Sequence, residues 1–112
     1  MGTVVGGYLK DLRRVGGLRG VDVANIANVS QATVSRWSTG RSTPHSRTQL
    51  ILSDLRYVVI RLGDYYKPEE ILAWLFARHP QLDGGRPIEA ISQGRSEEVL
   101  DIIDRLEAGV FL

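Results

Sequence analysis

The run Ser30-Gln31-Ala32-Thr33-Val34-Ser35-Arg36 sets a serine suited to capping a helix before short polar side chains and one arginine. Helical spacing turns Gln31, Ala32, Thr33, Ser35 and Arg36 outward and leaves Val34 and Trp37 to pack inward. Such a face can bond the edges of nucleobases. A glutamine amide matches the donor and acceptor of adenine, a guanidinium forks onto the two acceptors of guanine, and an alanine methyl touches thymine, each good bidentate pair being worth ~1–3 kcal/mol of discrimination. Arg19, Arg41 and Arg47 flank the run, and such side chains add salt-dependent attraction to phosphates.

Candidates for catalysis are sparse. The chain has no cysteine, which removes disulfides, thiolate nucleophiles and cysteine-rich metal sites together. His45 and His79 are separated by helical segments and lack an acid cluster, so neither a metal site nor a cofactor is expected; His79 reads instead as a cap at the end of its helix. No nucleophile lies near a histidine and no glycine-rich phosphate loop follows a strand. The expectation is a protein that is not an enzyme.

The elements that position these residues are all helical. Val5, Tyr8, Leu9, Leu12 and Val15 recur at helical spacing until Gly16-Gly17 stops the first helix. A second helix is expected over 20–27 and a third over 31–39, with Ser30 as N-cap and Gly40 as a left-handed C-terminal cap. Ala24 is small enough for the two to approach closely, Asn28 tolerates the positive φ of a sharp turn, and Val23, Ala27, Val29, Val34 and Trp37 plug the corner. Ser42-Thr43-Pro44 then turns into a long helix carrying Ile51, Leu55, Val58, Val59 and Leu62, which Gly63 ends.

Lys67-Pro68-Glu69-Glu70 opens the next helix, and His79-Pro80 closes it after Ile71, Leu72, Leu75 and Phe76. Residues 81–86 read as a loop, Pro87 starts a short helix that ends near Gly94, and Ser96 is expected to cap a last helix bearing Val99, Ile102, Ile103, Leu106 and Val110. No segment alternates with a period of two long enough to propose a strand. The fold class expected is all-α, a helix-turn-helix bundle over 1–63 followed by a small helical domain over 64–112.

Charge divides at the same place. Residues 1–63 hold nine basic and three acidic side chains, a balance of +6, whereas residues 64–112 hold five basic and ten acidic, a balance of −5. A basic half attracts a polyanion that an acidic half repels, so two different partners are expected. No apolar run approaches the ~20 residues needed to span a bilayer, and no leader pattern opens the chain; a soluble, cytoplasmic protein with no membrane partner is expected.

The string VANIANVSQATVSRWSTG resembles the DNA-binding segment of phage-repressor-like (Xre) regulators. That resemblance implies that Gln31, Ala32 and Arg36 read bases of an operator, with Thr33, Ser35 and Arg41 nearer the phosphates. Further on, Trp74-Leu75, His79-Pro80, Leu82, Gly85-Arg86-Pro87, Ile88, Ala90-Ile91, Gly94, Val99, Ile103 and Gly109-Val110 look like the toxin-binding domain of Xre/MbcA/ParS-type antitoxins, over residues 68–112. The Gly109-Val110-Phe111-Leu112 end is similar to the Gly-Val-Phe-aliphatic tail of MbcA-like chains, and Gly109 is expected to leave the last helix with positive φ.

The resemblance implies a type II antitoxin that binds a RES-domain, NAD-consuming toxin, obstructs its active-site cleft and represses its own operon. Trp74, Arg86, Gly109, Val110, Phe111 and Leu112 are then the toxin-binding residues, and a homodimer within the complex meets operator half-sites ~34 Å apart. Three of them also have a plainer reading: Trp74 as core, Arg86 as loop surface, Phe111 folded back on its own domain. The alternative at the level of the whole chain is a stand-alone Xre-like regulator whose C-terminal helices only dimerise it.

Overall fold

Left-handed residues punctuate the N-terminal region of the computed structural model, which describes residues 3–110. Helix α1 (Val4–Gly16) begins where the Thr3 hydroxyl accepts the Gly6 N–H at 2.9 Å and ends at Gly17, φ 68°. Helix α2 (Gly20–Ala27) ends at Asn28 with φ 56° and ψ 49°, as the sharp turn requires of a non-glycine residue that tolerates this region. Ser30 caps helix α3 (Gln31–Thr39) by accepting the Thr33 N–H at 3.1 Å, and Gly40 closes it at φ 79°. The expected bounds of α2 and α3 are met residue for residue.

Helix α4 (Ser46–Leu62) is the central element, with Leu52, Leu55, Val58, Val59 and Leu62 at 1% exposure or less. Its contact with α1 is close because Gly16 carries no side chain: a Cβ there would lie 2.9 Å from Val59 Cγ1. Helix α5 (Pro68–Phe76) starts with proline in its first turn, and the Glu70 carboxylate accepts the Lys67 N–H at 2.8 Å. Helices α6 (Pro87–Ser92) and α7 (Ser96–Val110) complete the chain, so the described residues are all-α. Burial joins both halves, since Leu12, Trp37, Leu55, Leu75, Ile91 and Ile103 belong to one apolar cluster.

Three expectations are corrected. The stretch 81–86 is more than a loop: Pro80–Leu82 forms a 3₁₀ turn, Asp83 and Gly84 are left-handed, and His79 and Gly85 pair through an N–H···O bond of 3.0 Å. Ser96 lies inside α7, not before it, and its hydroxyl donates to Asp54 Oδ2 at 2.9 Å. Gly109 does not release the chain in a left-handed turn, because the α-helix continues through it to Val110. Among the described residues, no helix is long and apolar enough to cross a membrane.

Candidate functional site

The outward face of α3 is built by what it hides. Val34 and Trp37 are buried against α1 and α2, which forces Gln31, Ala32, Ser35 and Arg36 into solvent. Thr33 is half-buried, and its hydroxyl is engaged twice, with Ser30 Oγ at 3.0 Å and with Arg36 Nη2, which donates at 3.0 Å. Arg36 is thus laid back along the first turn of α3. Arg41 is exposed just past the Gly40 cap, its N–H bonded to the Arg36 carbonyl at 2.9 Å. Five of the six sequence-predicted base- and phosphate-facing residues are therefore accessible, and Thr33 serves the helix cap first.

Beside this face runs an open groove of about 580 Å³ between α1 and α3, lined on one wall by Lys10 and Arg13 and on the other by Gln31, Ser35 and Ser38. Arg19 also lines it, partly neutralised by Asp22, whose carboxylate accepts its N–H at 2.8 Å and its Nε–H at 3.2 Å. No carboxylate lines the groove, and among the described residues no ion pair holds Lys10 or Arg13. Sequence reasoning passed over these two. Their i, i+3 spacing on α1 was visible, but the packing of α1 beside α3 that brings them to this face was not.

In the acidic half, Trp74 is half-buried against the core and its ring lies 4.9 Å from that of His79. His79 caps α5 as expected, its Nε2 3.1 Å from the Trp74 carbonyl, which accepts the hydrogen bond. Arg86 is intermediate in exposure and pairs with Glu89 at 3.0 Å, while Gly109 is exposed on α7. Trp74, Arg86 and Gly109 sit on three different stretches: on α5, just before α6 and in the last turn of α7. Phe111 and Leu112 lie outside the described residues, as does the Val110 side chain.

A second feature of this half was not anticipated. Tyr65 and Tyr66 follow α4 and meet edge to face, 6.5 Å between ring centroids, beside a cleft of about 100 Å³ lined by Leu62, Tyr65, Tyr66, Ile103, Leu106 and Glu107. Arg61 ties α4 to α7 through Asp104 at 2.8 Å and through Glu107, and these bonds raise its already high pKa. Partial burial and the neighbouring Glu107 and Asp64 carboxylates push the Tyr65 hydroxyl up from its ordinary value.

Fold and composition together define a small all-helical protein with a basic N-terminal half and an acidic C-terminal half. The chain is 32% identical over 96 residues to the probable mycobacterial cidal antitoxin Rv3188 of Mycobacterium tuberculosis, covering 86% of this chain and 82% of the relative. It is 28% identical to the mycobacterial cidal antitoxin MbcA of the same organism, over 86% and 85% of the two chains. A chain in the crystal structure of the M. tuberculosis MbcT-MbcA toxin-antitoxin complex superposes with a TM-score of 0.82 at 26% identity, over 98% of this chain and 99% of that one. The profile described as "Rv2175c C-terminal domain of unknown function" matches residues 54–102. The chain belongs to the mycobacterial cidal antitoxin family.

Proposed function

We propose that this antitoxin neutralises a cognate RES-domain, NAD-degrading toxin by direct binding through its acidic half and the Val110-Phe111-Leu112 end, and that it represses its operon through α3. The observation that carries the reading is the end-to-end likeness, over 98% of this chain, to a chain solved within a toxin-antitoxin complex. Apolar Val110, Phe111 and Leu112 in an otherwise acidic half suit burial by a partner. The toxin is obstructed by occupancy of its cleft, which asks no chemistry of this chain.

The basic face supports the second role. Gln31, Ala32 and Arg36 read base edges in the major groove, Thr33, Ser35 and Arg41 sit nearer the backbone, and Lys10 and Arg13 add phosphate contacts from α1. Two copies within the complex would serve two half-sites ~34 Å apart.

Co-expression with the product of the adjoining reading frame tests the proposal. That product is expected to deplete cellular NAD and arrest growth alone, and to be silenced and co-purified when this chain is present. Arrest without NAD loss would remove the RES assignment, and failure to co-purify would remove the antitoxin reading.

A further inference from the structure

The cleft beside Tyr65 and Tyr66 is apolar and outward-facing in the acidic half of the molecule. Tyr65 is 45%, Tyr66 38% and Leu106 40% exposed, large values for side chains that share one surface with the fully buried Leu62 and Ile103. We propose that this Tyr65-Tyr66-Leu106 face is a docking surface for the toxin, extending the contact made by the chain's end; the inference rests on the proposed antitoxin function.

Three observations favour that occupant. The first is continuity: Ile103, Leu106 and Glu107 lie on α7, the same helix that carries the proposed toxin-binding residue Gly109. The second is the rim. Asp64 and Glu107 lie beside Tyr65, and Arg61 is committed to both Asp104 and Glu107, leaving an acidic border on this side. Such a border repels DNA and suits a partner with a basic rim around an apolar recess.

The third concerns a second copy of this chain. A two-fold contact through this face would set the same carboxylates against themselves, a like-charge arrangement that costs affinity. The aromatic pair itself fits the composition of interface centres, where tyrosine supplies much area at little conformational cost.

The test compares the full chain, a Tyr66→Ser/Leu106→Ser double variant and a chain lacking residues 110–112 in titrations against the purified product of the adjoining reading frame. Both substituted side chains are already partly exposed, so the melting temperature should hold. The double variant is expected to bind about tenfold or more weakly with the mass of the free antitoxin unchanged. Full affinity in the double variant, with binding lost on deletion of 110–112, overturns the face while leaving the proposed function standing. A changed mass of the free antitoxin overturns it in favour of a contact between copies. No binding by the unaltered chain removes the proposed function and this surface with it. Hydrogen exchange on the unmodified protein gives a variant-free check: residues 62–66 and 103–107 should gain protection on adding the toxin, and unchanged exchange there overturns the proposal.

Discussion

The Ser96 hydroxyl donates to Asp54 Oδ2 at 2.9 Å, bonding the first residue of α7 to the middle of α4 across 42 positions of sequence. Ser96 is 8% exposed, so water cannot readily replace the bond, and Ser96→Ala leaves one carboxylate lone pair unmatched. A hydrogen bond to a charged group of this kind contributes about 1.5–3 kcal/mol, and Ser96→Ala should lower unfolding stability by about 1–2 kcal/mol given the partial exposure of Asp54. Urea denaturation checks it: an unchanged midpoint would show the bond to be incidental, whereas Ser96→Thr, which keeps the hydroxyl, should recover most of the loss.

A second tie is pH-dependent. Arg56 Nε donates to Asp11 Oδ2 at 2.8 Å and Arg14 approaches Oδ1 at 3.3 Å; the Arg56 bond, supported by Arg14 and opposed by burial, holds the Asp11 carboxyl below its ordinary 3.8. A depressed carboxylate stabilises the fold above its unfolded value, and the contribution disappears as pH falls through the lowered native one. Between about pH 5 and pH 2 the native chain should therefore lose stability more steeply than Asp11→Asn. Parallel slopes in acid unfolding curves would exclude the pair as a source of acid sensitivity.

Local punctuation made most of the fold legible in the sequence. Asn28, Gly40 and Pro68 act on their own neighbours, so α2, α3 and the start of α5 could be bounded without knowing the tertiary structure. Where a residue's role depends on a distant partner, that legibility ends. Ser96 has the type of an N-cap but is drawn to Asp54, and the Tyr65-Tyr66 face exists only because α7 returns beside the end of α4. Gly109 has the type of a helix stop, yet among the described residues nothing lies within 4 Å of where its Cβ would be and the helix runs on to Val110. Lys10 and Arg13 were silent for the same reason, since α1's place beside α3 is a product of packing around Trp37 and Leu12.

The DNA-reading proposal separates base contacts from phosphate contacts. Arg36 must leave Thr33 to reach a base, and Arg36→Ala is expected to cost about 1–3 kcal/mol on the operator and much less on random duplex. Lys10→Ala and Arg13→Ala should weaken both duplexes alike, each flattening the dependence of log affinity on log salt by about one. Fluorescence anisotropy across a salt series distinguishes the classes. Equal losses for Arg36→Ala on both duplexes would reassign it to phosphate, and an unaltered slope for Lys10→Ala and Arg13→Ala would take α1 off the interface.

Removal of residues 110–112 asks whether the two faces are separable. The described core closes without them, since Val99, Ile102 and Ile103 already fill the α7 side at 4% exposure or less, so the truncated chain should melt within a few degrees of the full one. Neutralisation should fail nonetheless, read as growth arrest and NAD loss in cells that carry the truncated chain with the adjoining gene product. Operator affinity measured on the same protein should stay within about twofold, because α3 and the α1 groove lie in the other half of the chain. Rescue by the truncated chain would move toxin obstruction from the chain's end to the helical body, and a parallel fall in operator binding would mean that the end supports the protein's own assembly.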